Sequence, residues 1–191
     1  MAHALSAIAI TAGRLVWSEQ VRRNAFYDWK RRLRGEPMLP EGPIRHVLVI
    51  CKGNICRSPF AANLLSAHPI SAQVLSAGLE AGCDDPADPS AVRAASRRGM
   101  ALDAHRTRRL TGTDIAWADL VVGMEGTHAA ALAARWPVAR AKVRLLGHFL
   151  ANPPYTIDDP WGHSEEVFDH TFDRIERAVE RLAHRLAERR K

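Results

Sequence analysis

Four short apolar runs, each followed by a stretch long enough for a helix, decide what this chain can become: residues 46–50, 73–76, 119–124 and 142–146. The first places Val47, Leu48, Val49 and Ile50 in succession, so it has no polar face and suits a strand buried on both sides. Ser58-Pro59 opens a helix to about residue 67, with proline in the first turn, where its missing N–H costs nothing. Asp88-Pro89 opens another that stops at Gly99, and an Ala-rich helix runs to Trp136-Pro137. A loop over 152–161 leads into a long terminal helix from about Ser164. Strands alternating with helices imply right-handed crossovers and a parallel sheet covered on both faces. The expected fold is α/β, three layers α/β/α around a four-stranded parallel sheet. Such a sheet carries its ligand site at the carboxyl ends of its strands, so the loop after Ile50 is the first place to look.

The 191 residues suffice for one domain with some to spare. At 47% hydrophobic and 25% charged the chain reads as globular, and no apolar run approaches the ~20 residues of a membrane span. Three cysteines cannot build a disulfide framework, which favours a reducing, cytoplasmic setting. The net charge of +6 fits nucleic acid, an anionic membrane or an anionic substrate. No nucleic-acid reading motif is recognisable, so that partner is set aside.

Residues 1–43 differ from the rest. They hold seven basic and four acidic residues, and the basic ones follow an uncharged stretch (residues 1–13), the reverse of a secretory signal. Leu5, Ile8, Ala12 and Leu15, then Phe26, Trp29 and Leu33, recur at spacings of three and four, which predicts a helical extension. Gly35, Pro37, Pro40, Gly42 and Pro43 read as a linker. The chain thus divides into an N-terminal extension and linker, 1–43, and a second unit, 44–191. The aromatic and basic residues of the extension suit three destinations: docking on the second unit, a homodimer contact, or peripheral contact with an anionic inner-membrane surface.

The loop after the first strand reads Cys51-Lys52-Gly53-Asn54-Ile55-Cys56-Arg57-Ser58-Pro59. Between a strand end and a helix start, such a run can curl its N–H groups inward as an anion cradle, aided by the helix dipole. Gly53 supplies a tolerance for positive φ. Arg57 offers a planar fork for two phosphate oxygens. Cys51 lies where a thiolate is favoured, as a nucleophile aimed at phosphorus.

This loop resembles the signature of the low-molecular-weight protein tyrosine phosphatases. Ser76-Ala77-Gly78, Asp88-Pro89, His105-Arg106-Thr107-Arg108, the stretch 119–125 and Asp159-Pro160 follow in the family's order, over about residues 45–185. The Met124-Glu125 pair and Asp159-Pro160-Trp161-Gly162 are similar to its bacterial branch. The resemblance implies phosphotyrosine hydrolysis through a phosphocysteine, without metal or cofactor. Cys51, Arg57 and Asp159 are then the catalytic residues, with Asp158 the alternative acid. Residues 52–58 (Lys52, Gly53, Asn54, Ile55, Cys56, Arg57 and Ser58) would bind phosphate, braced by the side chains of Asn54, Ser58, Ser76 and His105. Ser58 is expected to donate to the Cys51 thiolate. Trp161 is the candidate substrate wall, and the facing segment 79–85 holds no aromatic residue. Cys56 is either a redox partner of Cys51 or a thiol packed beneath the loop. The implied partner is a phosphotyrosine-bearing protein, such as a bacterial tyrosine kinase. Two other readings are an arsenate-reductase-like thiol enzyme, disfavoured because no cysteine follows Cys83, and a phosphate-reading module without catalysis.

Overall fold

A computed structural model describes residues 8–11 and 14–189. Four parallel strands form the main sheet: β3 (His46–Cys51), β4 (Gln73–Gly78), β5 (Leu120–Gly123) and β6 (Val143–Leu145), in the order β4-β3-β5-β6. The register pairs Cys51 with Gly78 and Val49 with Val122, so β3, β4 and β5 end at one edge. The alternation along β3 serves two cores. Val47, Val49 and Cys51 point to the face covered by α2 (Arg57–Ala67), α3 (Pro89–Ser96) and α7 (Glu165–Glu188). Leu48 and Ile50 point to the face covered by α4 (Gly112–Trp117), α5 (Gly126–Arg135) and α6 (Ala139–Lys142). A strand with helices on both sides must be apolar throughout, and the wholly buried run 47–51 meets that demand. The three-layer architecture and the four-stranded sheet are those expected from the alternation of runs.

The layer holding α7 is pinned by a stacked pair, Phe60 on Phe172, with ring centroids 4.0 Å apart. At the rim Arg98 holds Asp169 and Glu176 at 2.7 and 3.2 Å and also pairs with Asp173, tying the end of α3 to α7. Asp88 caps α3 by accepting from Ser90 N at 2.8 Å. Its own N–H donates to Ile55 O at 2.9 Å, joining that helix start to the loop after β3.

The extension departs from the expected helix in its first half. Ile8–Thr11 (β1) and Arg14–Trp17 (β2) pair antiparallel, so the three-and-four spacing through Ile8 and Leu15 does not mark a helix there. Leu5 and Ala12 lie outside the described residues. Gly13 and the β-branched residues around it weaken helix formation, and four-residue strands satisfy the backbone instead. The second half is helical: α1 (Glu19–Arg34) starts at Ser18, whose hydroxyl accepts from Val21 N, and gains from basic residues in its last turn. It lies along α5 and the segment 146–157. The linker is packed as well: Leu39 is buried, and Glu36 joins Arg185 of α7 at 3.1 Å. No helix among the described residues is long and apolar enough to cross a membrane.

Candidate active site

The loop 51–56 joins the end of β3 to α2 and turns inward at Asn54, whose φ is 56°. The left-handed residue is therefore Asn54, not Gly53. Asparagine tolerates that region because its side chain can bond locally, and here it does so in three directions. Asn54 Nδ2 donates to Ser58 Oγ at 2.9 Å and to Ser76 Oγ at 3.0 Å, while Oδ1 accepts from Arg108 N at 3.1 Å. The Asn54 carbonyl faces His105 Nε2 at 2.7 Å. A carbonyl only accepts, so the proton of that imidazole sits on Nε2. Burial holds the His105 pKa below its ordinary value, in keeping with a neutral donor. Asn54, Ser58, Ser76 and His105 thus meet in one network, with Asn54 fully buried at its centre.

Cys51 is buried beneath this network. Its sulfur receives the Asn54 N–H at 3.2 Å and lies 3.1 Å from Ser58 Oγ. Because Ser58 Oγ already accepts from Asn54, its own proton is free to point at the sulfur. Among the described residues no protein acceptor receives the N–H of Gly53, Ile55 or Cys56. Donors left over in a curled loop at a helix start are what an anion needs. The loop's close approach to β4 requires Gly78: a Cβ there would stand 2.7 Å from Lys52 O and 2.9 Å from Asn54 N.

Arg57 begins α2 and is almost wholly buried. Its Nη1 donates to Glu125 Oε1 at 2.6 Å and to Ile157 O at 3.0 Å, and Nη2 meets Asp159 Oδ2 at 2.5 Å. Nε, also buried, has no hydrogen-bond partner among the described residues. Burial opposes the charge, but Asp159, Cys51 and Glu125 outweigh it and raise the pKa, so the guanidinium stays cationic. Glu125 follows β5. Burial pushes its carboxyl up, yet the charge and hydrogen bond of Arg57 overcome that and hold it below the usual range, so it is an anion. His128 accepts from Met124 N at 3.2 Å through Nδ1, and burial and Arg57 depress its pKa to about 4.

The acid loop is tied to the end of β5 by Ile157 N donating to Met124 O at 3.1 Å. Of its two carboxylates, Asp159 is the one that lines a cavity of about 260 Å³ with Cys51, Lys52, Gly53, Ile55, Cys56, Glu80 and Trp161. Trp161 stands 63% exposed on that rim, where a ring could cover a planar substrate, and Asp159 Oδ1 accepts its N–H at 3.4 Å. Lys52 and Glu80 pair across the mouth at 3.5 Å. Cys56 packs into the core under the loop, where burial pushes its thiol well above the ordinary range.

The sequence pattern assigns no role to Glu125, although the residue stands in the Met124-Glu125 pair, nor to Gly78. It also missed Gln20, Asn24 and Asp28 of α1. Gln20 Nε2 donates to Glu125 Oε2 at 2.8 Å, Asn24 Oδ1 accepts from Gly126 N at 2.9 Å, and Asp28 accepts from Tyr155 N at 3.2 Å. The apolar stripe of the extension gave no hint of them, because they occupy its other face.

Comparison with known proteins agrees with this geometry. The family model "Low molecular weight phosphotyrosine protein phosphatase" matches residues 46–191. The Escherichia coli K12 low molecular weight protein-tyrosine-phosphatase Etp is 37% identical over 132 residues, 69% of this chain and 88% of its own length. The tyrosine phosphatase Wzb of Escherichia coli K30, solved in complex with sulphate, is 38% identical, covers 75% of this chain and 99% of its own, and superposes with a TM-score of 0.71. The YwlE arginine phosphatase of Geobacillus stearothermophilus is 33% identical over 76% of this chain and 94% of its own, with a TM-score of 0.70. With a family model spanning three quarters of its length and relatives above one-third identity, this chain belongs to the low molecular weight phosphotyrosine protein phosphatase family.

Proposed function

We propose that the chain hydrolyses aryl phosphate monoesters, phosphotyrosine foremost, in two steps through a phosphocysteine. The observation that carries this reading is the convergence of Cys51 and Asp159 on one cavity, with Arg57 paired to Asp159 behind it. A substrate phosphate enters over the Cys51 sulfur and takes the leftover N–H groups and the Arg57 fork. Its oxygens replace the Asp159 carboxylate at Nη2, which frees that side chain to take up a proton from solvent and turn toward the ester oxygen as a carboxylic acid. The sulfur then attacks phosphorus in line, the P–O bond breaks, and Asp159 gives its proton to the leaving phenol. In the second step water attacks phosphorus, Asp159 takes the proton, and the sulfur leaves as thiolate. Charge on the equatorial oxygens is met by fixed donors that need no reorganisation. The partner is a phosphotyrosine-bearing protein in the cytoplasm, a tyrosine kinase being the kind expected.

The division into 1–43 and 44–191 belongs to the same reading and is supported by a family match that starts at residue 46. The outward stripe of α1 (Phe26, Trp29, Leu33) is the surface that a membrane or a second copy of the chain would use.

The test is hydrolysis of p-nitrophenyl phosphate and a phosphotyrosine peptide with EDTA present. Wild type turns over both, and Cys51→Ser loses on the order of 10⁴-fold or more in kcat. Undiminished turnover in Cys51→Ser would overturn the nucleophile assignment. Phosphoarginine, run alongside, separates the tyrosine reading from an arginine phosphatase activity such as that of YwlE.

A further inference from the structure

Glu125 is a bridge with two ends. Oε1 accepts from Arg57, at 2.6 Å, and Oε2 accepts from Gln20 Nε2 at 2.8 Å and Asn24 Nδ2 at 3.5 Å. The second support of Arg57 Nη1 is the Ile157 carbonyl, at 3.0 Å, and the two residues before it are held from the same helix. Asp28 Oδ2 accepts from Tyr155 N at 3.2 Å and Oδ1 from Thr156 Oγ1 at 3.3 Å. Both supports of Nη1 are therefore tied to α1, Glu125 directly and Ile157 through the two residues before it, and α1 lies outside the region matched by the family model. A glycine permits the fit. A Cβ at Gly126 would stand 2.8 Å from Arg23 O and 2.7 Å from Tyr27 Cδ2, so anything larger forces α1 away.

We propose that α1 is a built-in positioning element of the phosphatase site: Gln20 and Asn24, through Glu125, and Asp28, through the 155–157 backbone, hold Arg57 in its phosphate-binding orientation. The inference rests on the proposed reading of Arg57 as the phosphate fork. An ionised carboxylate fixed at both oxygens can aim an arginine, whereas one fixed at a single oxygen rotates. Because Arg57 meets the phosphate in both the ground state and the transition state, loosening it raises KM and lowers kcat together.

The experiment uses the full chain and two readouts, the dissociation constant of inorganic phosphate by calorimetry and the kcat and KM for p-nitrophenyl phosphate. Gln20→Met/Asn24→Ala removes the α1 donors to Glu125. Gly126→Ala wedges the helix away while leaving α5 with the better helix former. Both are expected to weaken phosphate binding by about fivefold to tenfold and to split their effect between KM and kcat. Trp29→Ala, on the outward face of the same helix, stays within about twofold of wild type. A helix that only adds stability would lower the melting temperature and leave the phosphate constant within twofold of wild type, and that result overturns the proposal. Should wild type bind phosphate yet hydrolyse no aryl ester, the phosphatase reading fails while the phosphate constants still decide this one. A wild type that bound no phosphate would overturn both.

Discussion

The loop 51–58 and the helix α1 reach the same guanidinium from opposite ends, but the sequence encodes them in different ways. The loop assembles its chemistry from neighbours: Cys51, Asn54 and Ser58 lie three to seven residues apart and touch. Helix α1 acts across 105 and 127 residues of separation, through Gln20 on Glu125 and Asp28 on Tyr155. A strand-to-helix loop can be recognised from spacing alone, because its geometry is local. A support contributed from the far end of the chain has no spacing to read. Chemistry and its buttress are thus built by the two kinds of contact that a sequence shows best and worst.

The sharpest way to separate them is to change the residue they share. Arg57→Lys keeps a charge but loses the fork, and kcat is expected to fall about 10³-fold, with Glu125→Gln costing only about tenfold. Equal losses would mean that Glu125 takes a direct part in the chemistry. Next comes the acid. Asp159→Asn should lower kcat roughly 10²-fold, and the loss should shrink as the leaving phenol becomes more acidic. Asp158→Asn should stay within about threefold, since that side chain does not line the cavity. A leaving-group series on the two variants measures both.

The sheet and both helical layers were legible because parallel strands buried on two faces leave unbroken apolar runs, as at residues 47–50. Cys51, Arg57 and the Asp159 loop were legible because their placement at strand ends follows from that sheet. Three features resisted. The antiparallel strands Ile8–Thr11 and Arg14–Trp17 escape the pattern, since Ile8 and Leu15 fit a helical spacing by accident and short strands carry little signal. The inner face of α1 was invisible because Gln20, Asn24 and Asp28 look like an ordinary solvated face until Glu125, Gly126 and Tyr155 are placed against them. Gly53 and Asn54 exchanged roles for a related reason: glycine is the usual owner of a positive φ, and only the network around Asn54 shows why asparagine took it.

Gly78 tests how far the loop depends on a neighbour outside itself. In Gly78→Ala the new methyl meets Lys52 O and Asn54 N, backbone atoms that cannot swing aside. Overpacking of this kind costs about 1–3 kcal/mol, and a displaced loop should lose about tenfold in kcat. Thermal melting and kcat together check it. A stability loss without a kinetic one would show that the loop springs back and that Asn54 alone sets its path.

The smallest effect, and the one that compares the two regions within a single measurement, comes from two buried histidines. His128 lies beside Arg57 and Glu125; His148 lies under α1, with Arg31 donating to its carbonyl at 2.6 Å and its own Nε2 without a partner among the described residues. Burial first, then Arg57 for one and Arg31 and Lys30 for the other, hold both pKa values at about 4. Each imidazole is neutral in the fold and takes up a proton more readily once unfolded. Its contribution to stability is therefore complete above about pH 6.5 and is lost as pH falls toward 4. At pH 5 each histidine should have removed roughly 2 kcal/mol relative to pH 7. Urea melts at the two pH values read the sum, and the variants divide it. His148→Leu has no imidazole to charge under α1 and should recover about half of the loss while keeping the pH 7 value nearly intact. His128→Gln should recover the other half but lower stability at pH 7, because the bonds from Met124 N and Glu125 N to Nδ1 must be remade. If His148→Leu left the pH slope unchanged, α1 would already be released near pH 5, and its hold on the site would have to be measured at higher pH.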